Sequence, residues 1–369
     1  MRERVKWIDT AKFLGIFAIF LGHFGDAAGF GYAFVFRYHV AFFFLLSGCM
    51  SNYDKEPFGK FFVKKLKSIM IPFWFFCFLA IVVQVLQNSL GFDSVKTYTL
   101  LVLKGAIRNT FFAGALWFLT CLFVMEIVFK LLKFLKFKWI ILITCLGLYV
   151  IAEKVLDPRP IVTPSWPYNV DSLLYYIPYY AIGYAMYPLI LKLFQQDTLW
   201  KRIIFFTTGV ACLTFSVLIF FNHYDVALHW KQIPVLNIFE SMFRALIIIW
   251  ANLVVAKVIE RVKLFNQIGQ NTLYLCGNEY VMKTLVAVLL SLVGLKLTVA
   301  TPLIAYLYTF LLLVLGGKVF APAERKVVNG INQLLTKEKW QPLFKKKTDV
   351  STQAPVKENG NNSEQLENE

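Results

Sequence analysis

The chain has 369 residues and a formal net charge of +16, with 38 Lys and Arg against 22 Asp and Glu. An apolar share of 58%, 37 phenylalanines and only 16% charged residues, with a mean hydropathy of +0.60, exclude a water-soluble globule. The positive residues are spread over many connections rather than gathered in a basic groove with stacking aromatics, which argues against a nucleic-acid partner and for membrane lipids.

Runs of 18 to 25 mostly apolar residues recur along the chain, and a helix needs about 20 to cross roughly 30 Å of hydrocarbon. The short alternating runs of a transmembrane β-barrel do not occur. The pattern predicts an all-α integral membrane protein, a bundle of about ten transmembrane helices. The spans fall near residues 8–25, 37–53, 68–88, 114–132, 139–156, 172–192, 202–221, 236–257, 268–293 and 298–316. Alternate connections carry 19 Lys and Arg on the amino-terminal side and 7 on the other, so both termini are expected in the cytoplasm. The basic start before FLGIFAIFL also fits a cleaved signal sequence, but the polar stripe within that run argues for a retained span. From Trp340 the sequence turns polar, and residues 321–369 read as a cytoplasmic tail, disordered from about 345. The six cysteines lie in or beside apolar runs without CxxC spacing and read as core residues.

Ionisable residues inside spans cost about 2.5 kcal/mol or more and mark function or pairing by default. In the first span Lys12 and His23 lie eleven residues apart, about 16 Å along a helix and roughly 20° around it, on one face. Asp9 lies one turn before Lys12 and is expected to pair with it. The second span opens at RYHV, bringing Arg37 and His39 to the level of His23. Metal binding by the two histidines lacks a third ligand at helical spacing, so no metal is expected. In the fourth span Glu126 is expected to pair with Lys130, and in the eighth Glu240 with Arg244. In the ninth, Thr272, Cys276, Glu279 and Lys283 form a single stripe, with Glu279 and Lys283 in the favourable orientation for an ion pair. The outer connections carry Trp166, Tyr168, Asn169 and Asp171, then His223, Tyr224, Asp225, His229 and Trp230. These suit sugar rings, and equally an interfacial aromatic belt.

WIDTAKFLGIFAIFLGHF followed by YHVAFFFLLSG resembles the opening signature of the membrane acyltransferase-3 family, the O-acyltransferases that decorate bacterial surface polysaccharides, with the nearest likeness to its fucose 4-O-acetylase-like branch. The family's basic residue, ten residues and histidine fall on Lys12 and His23, with Lys where many members have Arg. Its "fHmplFFfiSG" falls on His39, Phe43, Phe44, Ser47 and Gly48. FFVKKLKSIMIPF is similar to the basic run ending in "iPf", at Lys64, Lys65, Lys67 and Pro72. GALWFLTCLF is similar to the element around Trp117 and Phe118, and WPYNVDSLLYYIPYYAIGY to "lpwniDtal...fyliGy" at Asn169, Asp171, Tyr180 and Gly183. IGQNTLYLCGNEYV resembles "lGknSlyiyllH" but departs from it, with Thr272 for Ser and Glu279 at the usual His. The likeness covers about residues 5 to 320.

The resemblance implies a membrane acyltransferase domain over residues 1–320 that takes acyl groups, most simply acetyl from acetyl-CoA, on the cytoplasmic side. The acceptor it implies is a hydroxyl of a cell-envelope glycan or lipid-linked sugar, with glycan-biosynthesis proteins as partners and the bacterial cell membrane as location. Lys12, Lys64, Lys65 and Lys67 are then candidates for the coenzyme phosphates. His23 is the candidate general base or nucleophile, and His39 or Arg37 stabilises the oxyanion or orients the acceptor. Asp9, Trp117, Asn169, Asp171 and Glu279 are candidates for substrate binding. A transporter of a polar or lipid-linked substrate, or an acyl-exporting subunit serving a separate transferase, also accounts for many spans with buried charges. Paired broken helices in inverted repeats, which would favour transport, are not visible.

Overall fold

The computed structural model describes residues 4–51, 53, 56–87, 90–155, 166–221, 234–296 and 298–335. Two units are separated by their contacts, Met1–Asn329 and Gly330–Glu369, and the candidate site lies wholly in the first. Fifteen α-helices and no strand occur among the described residues. They are α1 (Lys6–Gly22), α2 (Phe30–Val35), α3 (His39–Met50), α4 (Phe58–Lys65), α5 (Ile71–Leu86), α6 (Phe92–Lys104), α7 (Trp117–Leu132) and α8 (Lys138–Val155), then α9 (Val170–Phe194), α10 (Leu199–Phe220), α11 (Pro234–Val258), α12 (Lys263–Gly269), α13 (Thr272–Leu292), α14 (Pro302–Leu315) and α15 (Ala321–Leu334).

Among the described residues, seven helical stretches are long and apolar enough to cross a membrane: Phe30–Met50, Phe58–Leu86, Gly114–Leu135, Leu199–Phe220, Asn237–Val258, Thr272–Leu292 and Pro302–Leu334. The other three sequence-predicted spans form helices that fall short for visible reasons. Helix α1 has 17 residues, and α8 carries Lys138, Glu153 and Lys154 within 18 residues. Helix α9 is 25 residues long, but six tyrosines, Asp171 and Lys192 lower its hydropathy. The connection after the third span contains a helix that its apolar content does not announce. Helix α6 is amphipathic, with Asp93 in its first turn, Lys104 in its last, and Gly105 closing it at φ 62°. The tail expected from 321 begins as helix α15, and its part beyond Leu335 lies outside the described residues.

Pro72 explains the one irregularity in the long helix from Phe58 to Leu86. It has no N–H to donate and its ring crowds the carbonyl four residues back, and the chain answers with a π-turn over Leu66–Met70. Close helix crossings rest on missing side chains. A Cβ on Gly48 of α3 would collide with the Tyr180 carbonyl of α9, and one on Gly183 would collide with the Leu45 carbonyl. The two backbones therefore meet directly, as small residues allow between apolar helices. Gly183→Ala is expected to destabilise the solubilised protein by about 1–3 kcal/mol, read as a lower midpoint for loss of monodispersity on heating. Gly147→Ala, which meets open space on α8, should leave that midpoint in place.

Candidate functional site

Helix α1 is unbroken from Lys6 to Gly22, so Lys12 and His23 keep the shared face that their spacing predicts. His23 is the C-cap of α1, and its side chain is 33% exposed. Its Nδ1 lies 2.6 Å from Glu279 Oε2, and the other oxygen of that carboxylate accepts from Lys283 Nζ at 2.6 Å. Glu279 is only 6% exposed, so its charge is removed from water and answered by these two partners. The i,i+4 pair on α13 follows the spacing. The contact across 256 residues to His23 does not.

A carboxylate accepts but does not donate, so Nδ1 donates to Glu279, and in the neutral ring the lone pair lies on Nε2. No described residue hydrogen-bonds to Nε2. Both oxygens of Glu279, a candidate for substrate binding, are engaged inside the protein by His23 and Lys283, a contact that orients the His23 ring.

His39 opens α3 and is buried. Its Nδ1 donates to the Val35 carbonyl at 2.6 Å, and the edge of its ring meets Phe36 at 5.0 Å. It is close enough to His23 and Glu279 to interact electrostatically with both. A backbone carbonyl also only accepts, so neutral His39 offers Nε2 as an acceptor. That arrangement fits orienting a hydroxyl better than donating to an oxyanion. Arg37 sits in the turn just before α3.

The predicted Asp9–Lys12 pair is replaced. Asp9 takes Arg4 at 2.7 Å, with a second, longer contact of 3.5 Å from the same guanidinium, because a fork of donors outmatches a point charge on a carboxylate. Gln270 adds a contact at 3.5 Å, so Asp9 holds the start of α1 against α12. Lys12 feels Asp9 only electrostatically and makes no ion pair or hydrogen bond to a described residue. The other predicted cations differ. Lys64 pairs with Glu56 at 2.8 Å and Lys65 with Glu126 at 2.9 Å, while Lys67 lies in the π-turn. Glu126 therefore does not take Lys130, since Lys65 and the Tyr53 hydroxyl, at 2.8 Å, occupy it. Lys130 instead donates to the carbonyls of Tyr53 and Glu56.

Asn169 and Asp171 are drawn into a cluster around a buried arginine in the connection between α6 and α7. Arg108 is 2% exposed. It pairs with Asp171 at 2.5 Å, donates to Ser172 and lies 5.9 Å from the Trp117 ring centre. Asn169 donates to Gly105 O at 3.0 Å and to Thr120 Oγ1 at 2.6 Å. Tyr168 and Asn169 both adopt positive φ, 53° and 55°, an arrangement costly for non-glycine residues and held here by that amide. Consecutive Tyr-Asn before a helix was the available sign. The cluster borders the histidine site, for Ala115, two residues before Trp117, accepts from Cys276 Sγ at 3.6 Å, one turn before Glu279 on α13. His223, Tyr224, Asp225, His229 and Trp230 lie outside the described residues.

Removing Arg108 should leave Asp171 as an uncompensated buried charge. Arg108→Ala is expected to cost about 3–5 kcal/mol, whereas Arg108→Met with Asp171→Leu should recover most of the loss in a thermal unfolding series.

Among comparisons with known proteins, the acyltransferase-domain profile of the acyltransferase-3 family matches residues 5–317. No curated protein and no solved structure gives a significant match.

Proposed function

Because the chain belongs to the acyltransferase-3 family, we propose that it is a membrane O-acyltransferase carrying acetyl from cytoplasmic acetyl-CoA to a hydroxyl of a cell-envelope or exopolysaccharide sugar. The observation that supports this reading is the His23–Glu279 dyad, in which a buried carboxylate holds the ring by Nδ1 and no described residue hydrogen-bonds to Nε2. In the proposed reaction the acceptor oxygen attacks the thioester carbonyl carbon while Nε2 of His23 takes its proton. The tetrahedral intermediate collapses, the C–S bond breaks, and the leaving thiolate receives that proton from the imidazolium. Glu279 stabilises the imidazolium in between. Neutral His39 accepts through Nε2 from a neighbouring hydroxyl of the acceptor, so that the attacking hydroxyl keeps its proton directed at His23, and Arg37, two residues before His39, is assigned to the developing oxyanion.

Lys12 supports an anionic donor. An ammonium mostly sequestered in α1, with its neighbouring carboxylate already taken by Arg4, is a site for a phosphate. Lys64, Lys65 and Lys67 extend that positive end, with Lys64 and Lys65 already in ion pairs with Glu56 and Glu126. Trp117, Asn169 and Asp171 shape the acceptor side through the Arg108 cluster. In the topology that fits this assignment α1, α8 and α9 complete ten crossings, and both termini face the cytoplasm of a bacterial cell. The likeness to the fucose 4-O-acetylase-like branch supports acetyl and sugar as the group and the acceptor class.

The test is transfer of label from acetyl-CoA into envelope glycan by membranes holding equal amounts of wild type or His23→Ala. A loss of about a hundredfold or more is expected. Undiminished transfer would remove His23 from the chemistry, and retained export of acyl groups without transfer would favour an exporting subunit. Lys12→Ala should raise KM for acetyl-CoA about tenfold at unchanged kcat, the mark of a residue that binds donor and transition state alike.

A further inference from the structure

We propose that Lys283 is a positioning residue that keeps His23 available as a base by sharing the Glu279 carboxylate, an assignment that rests on the reading of His23 as the base. The ammonium is tied at two points. It lies 2.6 Å from Glu279 Oε1 and 4.2 Å from the ring centre of Phe24, with Phe20 further off at 5.8 Å. Phe24 is the residue after His23, so Lys283 grips the carboxylate and the chain beside the imidazole together. A cation over an aromatic face away from bulk water is a favourable contact in its own right.

The charge count gives the arrangement its consequence. Glu279 is closed off from water and needs a counter-charge. With Lys283 in place the pair is neutral as a unit, and the imidazole donates its Nδ1 proton without being required to carry a second one. Without Lys283 the imidazolium form of His23 becomes the nearest counter-charge. A protonated ring has no lone pair with which to take the acceptor proton. Among the described residues His39 interacts with both and Cys276 with Glu279; neither supplies a fixed positive charge that would substitute for Lys283.

The experiment uses the full chain in detergent and reads His23 without relying on turnover. Carbethoxylation by diethyl pyrocarbonate occurs at an unprotonated ring nitrogen, and its rate at His23 is followed at pH 7 by peptide mass spectrometry. Lys283→Met is expected to slow it about fivefold or more, and Lys283→Arg to stay within about twofold of wild type. In Glu279→Gln, which removes the charge that Lys283 offsets, adding Lys283→Met should change the rate no further. Transfer of labelled acetyl is measured on the same preparations, with kcat falling in Lys283→Met and KM for acetyl-CoA holding. An unchanged His23 rate in Lys283→Met overturns the proposal, and so does a slowing that persists in the Glu279→Gln background. The arginine variant separates a charge effect from a folding defect. If no preparation transfers acetyl while the carbethoxylation pattern holds, the acyltransferase reading fails and only the control of His23 protonation by Lys283 stands.

Discussion

A carboxylate shut away from water must be answered by charge and hydrogen bonds, and the site is arranged around the way Glu279 is answered. Its two oxygens bind partners from two helices, His23 at the end of α1 and Lys283 one turn along α13. Removing either partner exposes the other to an unbalanced charge, so the ends of α1 and α13 are fixed relative to each other by more than packing. The packing in turn sets where the carboxylate falls. Gly277, two residues earlier, lets α13 press against the Phe76 ring of α5, where a Cβ would collide. Cys276 at the same level rests on the Ala115 carbonyl. A small residue and a charged one within three positions thus do separate jobs, close approach and chemistry, on neighbouring faces of one turn.

Much of this was legible in the sequence where the determining interaction is local. The shared face of Lys12 and His23 needs only an unbroken helix, and the Glu279–Lys283 pair needs only a spacing of four. What the sequence could not show is the meeting of the two stripes, because no local rule places residue 23 beside residue 279. Where local rules misled, a stronger partner was available from outside the pattern. Asp9 preferred the forked donors of Arg4 to the ammonium one turn away, and Glu126 preferred Lys65 from another helix to Lys130 on its own. Long apolar runs announced spans well. Helix α9 was readable as a helix but carries its tyrosines into the protein interior, with Tyr179 and Tyr180 fully buried, so its composition reflects helix neighbours more than lipid.

Arg108 shows a different failure. Charges between apolar runs are normally topological signals, and one buried at the base of the turn between α6 and α7 looks the same in sequence as one in water. Its role becomes visible only when Asp171, Ser172 and Trp117 converge on it. The left-handed backbone at Tyr168 and Asn169 is the local cost of that convergence, held in place by the Asn169 amide. Such a cluster is poorly suited to moving and well suited to presenting a rigid wall, which is what an acceptor needs if its hydroxyl is to meet a fixed imidazole.

In the proposed reaction α1 acts as a ruler between donor and acceptor. The eleven residues from Lys12 to His23 correspond to a rise of about 16 Å, roughly half the hydrocarbon thickness. A donor anchored by its phosphates near Lys12 must then reach along the helix to bring its thioester to Nε2, which calls for a long flexible arm between the charged end and the reactive carbon. Coenzyme A has that shape, whereas a compact acyl phosphate held at Lys12 would leave its carbonyl well short of His23. The replacement of the Asp9–Lys12 pair by Arg4–Asp9 is what makes the lower end of the ruler available. Had Lys12 kept its expected carboxylate, the charge balance at that end would have been closed within the protein, and an incoming phosphate would have had to break an ion pair to bind.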